Sequence, residues 1–251
     1  MERYFHIRYE FSREAVRRKI DETLAAEKKG YICVADGVIL SLVQHDLAYR
    51  KVIDEALFSI CDSSWVPLYI RWIYGRQRKQ YCGSQIFEEL ISLGRYRMMF
   101  LGTSRKVLDP LKENLSHIDP RVADMPFVEL PFCSAETFDY VNIGRMIDEY
   151  APDIVWVALG APKQEKFMNY LLPHIRRGVM IAVGAAFNFY SGGTIRRAPE
   201  WIVKCHMEFL WRIFSEPRKQ LKRCKGILTT MPRMLWDEWR CKRQETKKEK
   251  K

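Results

Sequence analysis

Ile154-Val155-Trp156-Val157-Ala158-Leu159-Gly160-Ala161-Pro162-Lys163-Gln164-Glu165 decides how the rest of the chain is read. An unbroken apolar run of this length, closed by a glycine–proline turn and followed by a helical pattern, is a strand buried on both faces of a sheet. A second such run, Val179 to Val183, ends in the corner Gly184-Ala185-Ala186-Phe187-Asn188, and Arg196-Arg197-Ala198-Pro199-Glu200-Trp201 follows. Strand, polar turn, helix, strand, polar turn is how a parallel sheet builds a ligand crevice outside the carboxyl ends of its strands.

The pattern extends outward from there. Tyr31 to Ala35 reads as a strand ending at Asp36-Gly37, Phe58 to Cys61 as one ending at Asp62, and Arg97 to Gly102 as another. Helical periodicity separates them. Ser12 caps a helix through Leu24, Val38 to Tyr49 is continued in style by Lys51 to Leu57, and further helices cover Ser84 to Leu93, Val107 to Leu115 and Phe138 to Tyr150. Tyr4 to Tyr9 reads as one short strand, and Val128 to Phe132, between Pro126 and Pro131, as an edge strand or loop. The fold class expected is α/β, a Rossmann-like, mostly parallel sheet with flanking helices and a basic helical C-terminal appendage. The boundaries expected are a catalytic domain over 1–195, the appendage over 196–241 and an unstructured tail over 242–251.

At 251 residues the chain is long enough to bury about three quarters of its unfolded surface. Its seven cysteines are odd in number and contain no Cys-x-x-Cys pair, which speaks against a disulfide framework or a zinc site and for a reducing compartment. Neither an apolar signal core at the amino terminus nor an uncharged run of ~18 residues is present, so a cytoplasmic chain without a spanning helix is expected. The net charge of +11 is uneven: Arg212 to Lys251 holds 14 Lys/Arg against 5 Asp/Glu. A nearly neutral body with a basic end suits an anionic bilayer, a diphosphate or nucleic acid.

Asp36 and Asp62 stand where apolar strands stop, the position for a general base or for binding a ribose or sugar hydroxyl; the competing reading of each is a cap on the next helix. The turn Gly160 to Glu165 offers backbone N–H groups, Lys163 and the Gln164 amide to an anion or a base. Gly-x-Gly-x-x-Gly, Gly-x-x-x-x-Gly-Lys-Ser/Thr and Asp-x-Asp are all missing from the sequence, so neither a dinucleotide cofactor nor a metal is expected. His206 falls on the apolar side of a helix predicted from Pro199 and reads as a core residue. Arg212, Arg218, Lys219, Lys222 and Arg223 are either a solvated face or a cluster able to close over a diphosphate.

Val157-Ala158-Leu159-Gly160-Ala161-Pro162-Lys163-Gln164-Glu165, Arg197-Ala198-Pro199-Glu200-Trp201, Glu208-Phe209-Leu210-Trp211-Arg212 and Glu216-Pro217-Arg218 together resemble the WecG/TagA/CpsF family of bacterial glycosyltransferases, from about Tyr31 to Arg223. The resemblance implies transfer of a sugar, of N-acetylmannosamine type or a related hexose, from a UDP-sugar to an undecaprenyl-diphosphate-linked saccharide. It implies inversion without a metal, a role in cell-envelope polysaccharide synthesis, and an appendage docked on the membrane. Asp62 matches the family's proposed base and Gln164 its nucleotide-contacting glutamine. Lys163 and Asn188 would then join Gln164 in holding the nucleotide. Arg212, Arg218, Lys219 and Lys222 would steady the leaving diphosphate. The chain departs from the family pattern at Val34-Ala35-Asp36, at Gln80 and Gln85, at Ser63, and at the Gly184 to Asn188 corner. The expected partners are the UDP-sugar, the lipid-linked acceptor and the anionic inner face of the cell membrane, with self-association left open and nucleic acid not expected. The rival readings are a non-catalytic sugar-nucleotide-binding homologue and, behind it, a nucleic-acid-binding protein driven by the basic end.

Overall fold

The computed structural model describes residues 1–192 and 217–248, the latter with side chains from 226 to 244. The expected helix from Pro199, with His206 and Arg212, lies outside the described residues. Eight strands form one sheet: β1 (Glu2–Tyr4), β2 (Ile7–Tyr9), β3 (Lys29–Ala35), β4 (Phe58–Cys61), β5 (Met98–Gly102), β6 (Phe127–Val128), β7 (Ile154–Ala158) and β8 (Gly178–Ala182). Their spatial order is β1-β2-β4-β3-β8-β7-β5-β6. Only β1 and β2 pair antiparallel; each later pairing is parallel. The α/β class and the mostly parallel sheet expected from the sequence are the ones found.

Between the strands run α1 (Arg13–Ala25), α2 (Gly37–His45), α3 (Leu47–Glu55), α4 (Trp65–Tyr74), α5 (Gly83–Ser92), α6 (Arg105–Ser116), α7 (Tyr140–Tyr150), α8 (Lys163–Leu171) and α9 (Ala186–Tyr190); α10 (Pro217–Lys248) comes last. Right-handed crossovers sort the helices onto the two faces. Steps β3 to β4 and β7 to β8 move the same way across the sheet, so α2, α3 and α8 share a face, burying Val43, Ile53 and Phe167 with Val66 and Ile70 of α4. Steps β4 to β5 and β5 to β6 move back, and α5 and α6 cover the other face with Phe87, Leu90, Leu108 and Leu111 around Trp156. Covered on both sides, β5, β7 and β8 are buried at every position, the physical origin of their unbroken apolar runs.

Three local readings change. Tyr4 to Tyr9 is a hairpin rather than one strand, because Phe5 and His6 take positive φ values of 52° and 66°. The turn is held from outside: the Glu238 carboxylate accepts the Phe5 N–H at 3.0 Å and Gln44 Nε2 donates to the Phe5 carbonyl at 3.1 Å. The helical stretch after Asp36 is two helices, because Asp46 breaks it and caps α3 by accepting the Tyr49 N–H at 2.9 Å. Finally, α10 runs to Lys248, past the expected end at 241. Lys, Arg, Gln and Glu are good helix formers, so a charged composition alone does not end a helix.

Helix α10 docks along α2 in a fixed register. The Ser41 hydroxyl donates to the Gly226 carbonyl at 3.1 Å and lies 2.9 Å from the Thr230 hydroxyl, while Ile227 covers Gly37 so closely that a Cβ there would sit 2.8 Å from its Cδ1. Met234 is buried, and Met231 and Leu235 pack on the same core. Tyr69 and Tyr74 of α4 reach Met231 Sδ at 3.3 Å and Glu238 at 2.9 Å. Among the described residues no helix is long and apolar enough to cross a membrane.

Candidate functional site

The carboxyl ends of β4, β3, β8 and β7 lie side by side in the sheet, and of the predicted residues Asp62, Asp36, Gly160 and Gln164 sit at or just beyond them. Asp62 leaves β4 half-buried. Its N–H donates to the Ala35 carbonyl at 3.1 Å, which locks it beside the end of β3. Its Oδ1 accepts the Gly83 N–H at 2.8 Å, and its carbonyl accepts Gln80 Nε2 at 2.6 Å. Gly83 opens α5 and is wedged between strand ends: a Cβ there would lie 3.1 Å from Val34 Cγ1 and 3.6 Å from the Val183 carbonyl.

Asp36 ends β3 and does cap α2, its Oδ1 accepting from Val38 N at 2.9 Å and Ile39 N at 3.0 Å. One oxygen does both; Oδ2 takes no hydrogen bond among the described residues.

Across β8 the chain of contacts continues to the turn after β7. Gln164 Oε1 accepts the Gly160 N–H at 3.0 Å, and Nε2 donates to Glu165 Oε1 at 2.9 Å. A Cβ on Gly184 would come within 3.3 Å of Gln164 Oε1, so the corner after β8 touches the turn after β7. The conformations are glycine's own: φ is +77° at Gly160 and +50° at Gly184. The Ala161–Pro162 peptide between them is cis.

Asp62, Gly83, Gly184, Gln164 and Gly160 thus form one line of neighbouring groups across four strand ends. Asn188 sits in α9 immediately beyond, with Ser191 Oγ donating to its carbonyl at 3.0 Å. Lys163 is placed differently. Its Nζ lies over the rings of Phe138 and Phe132, 4.8 and 5.6 Å from their centres, so aromatic faces hold it at the start of α8.

Glu165 carries more of the site than its sequence shows. It is fully buried, with Oε2 accepting the Tyr49 hydroxyl at 3.1 Å. Burial pushes its carboxyl up to about 7, Asp36 adds to the rise, and the Gln164 hydrogen bond works against it. A Glu in the first turn of a helix reads from sequence as a partner for the helix dipole, which hides a buried acid. The Gly83 amide was equally invisible, since backbone donors leave no signal in residue identity. Tyr49 gave no cue of its own either, and Gln80 stood out only as a departure from the family pattern, not as a partner of the Asp62 carbonyl.

The register of α10 on α2 fixes where its basic start lies. Ile227 is level with Gly37, and Gly226 and Thr230 with Ser41, so the two helices run the same way from the strand carboxyl ends. Going back from Ile227 to Arg218 covers nine residues of continuous helix, about 13 Å of rise. The backbone of Arg218, Lys219 and Lys222 therefore extends beyond the start of α2, past the edge that carries Asp36 and Asp62. Arg212 lies outside the described residues.

The fold defines a doubly wound α/β protein, a class whose ligands bind outside the carboxyl ends of the strands, where these groups line up. The sequence model described as the glycosyl transferase WecG/TagA/CpsF family matches residues 5–248, and the chain belongs to that family. It is a glycosyltransferase. Among curated relatives, it is 26% identical over 218 residues to the N-acetylglucosaminyldiphosphoundecaprenol N-acetyl-beta-D-mannosaminyltransferase of Bacillus subtilis (strain 168), covering 81% of this chain and 83% of the relative. The protein of the same name from Bacillus spizizenii (strain ATCC 23059 / NRRL B-14472 / W23) is 24% identical over 205 residues, 80% and 77% of the two chains. That of Staphylococcus aureus (strain MW2) is 20% identical over 205 residues, 78% and 76%.

Proposed function

We propose that this glycosyltransferase moves a hexose, of N-acetylmannosamine type, from a UDP-sugar to a saccharide on polyprenyl diphosphate, with inversion at the anomeric carbon. The names of the curated relatives support a lipid-diphosphate-linked acceptor and a mannosamine-type sugar. The observation that carries the reading is Asp62, a carboxylate at a strand end, anchored by one oxygen to the Gly83 N–H at 2.8 Å and aligned with the Gly184–Gln164 contact.

In the proposed step the acceptor hydroxyl gives its proton to Asp62 as its oxygen attacks the anomeric carbon. The bond from that carbon to the nucleotide oxygen breaks, and UDP leaves with the electron pair. Gly160, Lys163, Gln164 and Asn188 hold the nucleotide, and Asp36 offers Oδ2 to a sugar hydroxyl. Arg212, Arg218, Lys219 and Lys222 neutralise the leaving diphosphate without a metal, the last three favoured by the overhang of α10. Each such charge-assisted contact contributes about 1.5–3 kcal/mol, so losing one slows transfer roughly ten- to a hundredfold. The enzyme works as a peripheral protein on the inner face of the cell membrane, with the basic C-terminal segment against anionic lipid.

Asp62→Asn tests the assignment, because an asparagine oxygen still accepts from Gly83 and leaves the loop in place. UDP binding by calorimetry should stay within about threefold, while UDP release in the presence of donor and a short-chain lipid-diphosphate acceptor should fall by at least about a thousandfold. Turnover at the parental rate would remove Asp62 as the base.

A further inference from the structure

Helix α4 is apolar on every side. Val66, Ile70 and Ile73 enter the core, and Tyr69 and Tyr74 face α10, where they meet Met231 and Glu238. The remaining arc carries Trp65, Leu68 and Trp72, 43%, 37% and 72% exposed, with Arg71 as the only charged residue of the helix. A helix hydrophobic all round belongs in an apolar medium on all sides. Here one side has no protein against it among the described residues.

The neighbouring helix repeats the pattern. On α10, Leu228 and Trp236 are exposed, and Trp239 packs its ring 5.3 Å from that of Trp236 with Arg243 stacked on it at 3.8 Å. Helical spacing puts these residues on the flank away from Ile227 and Thr230, which meet α2. Charge around the two stripes has one dominant sign: Arg71, Lys79 and Arg240 are exposed and make no ion pair among the described residues. Tryptophan and leucine rimmed by arginine and lysine match the boundary between headgroups and acyl chains of an anionic bilayer.

We propose that α4 is a membrane-contacting element, pressing Trp65, Leu68 and Trp72 into an anionic lipid surface alongside the aromatic flank of α10. α4 begins three residues after Asp62, so a bilayer seated on it brings the catalytic loop to the lipid interface, where a lipid-linked acceptor presents its sugar. The proposal deepens the peripheral-membrane reading above and rests on the lipid-linked acceptor only in its turnover arm.

The test uses the full-length chain and Leu68→Ser/Trp72→Ser, with Val141→Ser as a control; Val141 is a 57% exposed apolar residue on α7. On equimolar phosphatidylglycerol/phosphatidylcholine vesicles, the double variant should lose roughly tenfold in apparent affinity, with the control unchanged. Turnover on a short-chain, micelle-free acceptor should stay at the parental rate, while turnover on a bilayer-embedded long-chain acceptor falls. Because Cys241 is already an exposed thiol, labelling is read by peptide mapping: the cysteine of Trp72→Cys should react with a maleimide in solution and be shielded on the vesicles. Parental sedimentation of the double variant would overturn the proposal, as would shielding of Trp72→Cys in lipid-free buffer, which would mean that protein covers this face. Normal vesicle binding by α4 with no transfer on either acceptor would instead count against the proposed reaction.

Discussion

Glu165 ties the turn after β7 to the core through its bonds to Gln164 and Tyr49. In the folded chain its carboxyl holds a proton up to about 7, chiefly through burial, whereas an unfolded glutamate gives it up near 4.5. Below that lower value both states are protonated and the residue is neutral to folding. As pH rises from about 4.5 to about 7 the unfolded state alone ionises, so stability falls across that window and then levels. The loss is on the order of 3 kcal/mol for a fully buried group. Urea denaturation at pH 5 and pH 8 should show it, and Glu165→Gln, whose oxygen still accepts from Gln164 while its NH2 donates to the Tyr49 hydroxyl oxygen, carries no titrating proton and should flatten it. An unchanged pH slope in the variant would assign the effect elsewhere. Gly102 is a second sharp case. Its φ is +120° and a Cβ would lie 2.6 Å from the Ala158 carbonyl, so β5 and β7 leave no room for a side chain. Gly102→Ala should destabilise by about 3 kcal/mol or more, read as a drop in melting temperature.

Helices and strands repay reading in proportion to how much of their pattern is local. β7 and β8 were legible because burial on both faces writes itself as an unbroken apolar run, and Ser12 and Asp36 were legible as caps because the cap lies beside its helix. The hairpin turn at Phe5-His6 was not, since the groups that hold it, Gln44 and Glu238, are 39 and 233 residues away. The same limit applies within the site. Asp62, Gln164 and the Gly160 turn could be picked out from their places at strand ends, but the Gly83 amide on Asp62 and the Tyr49 hydroxyl on Glu165 arise from the packing of α5 and α3. Docking of α10 was visible only as charge. What fixes it is the pairing of Ser41 and Glu238 hydrogen bonds with apolar burial, and Met234 is the one buried side chain among its described residues. Met234→Ala should cost about 2–3 kcal/mol in chemical denaturation while leaving the net charge as it is.

Taken whole, the molecule is a sheet with its polar groups drawn to one edge and its positive charge drawn to one end of the chain. The two asymmetries meet where α10 passes α2. Attraction of a basic surface to anionic lipid is screened by salt, whereas burial of tryptophan in the interface is not. Raising ionic strength from about 0.05 to 0.5 M should therefore weaken binding to phosphatidylglycerol vesicles without abolishing it, because the Debye length shrinks severalfold over that range while the aromatic contact persists. Complete release at high salt would leave charge as the whole of the attraction.

The clasp between Phe5 and Glu238 bears on how the enzyme is made. A ribosome emits the hairpin first and the residue that fastens it more than two hundred positions later. Until α10 is made, Ile227 and Met234 are not there to cover α2 and the core beside α4. A nascent chain stalled before α10 holds Asp36, Asp62 and Gln164 yet lacks both the closing contact and the basic overhang. A chain truncated before α10 should therefore lose the fastening of its amino-terminal hairpin, seen as faster proteolysis at Phe5-His6 than in the full-length protein.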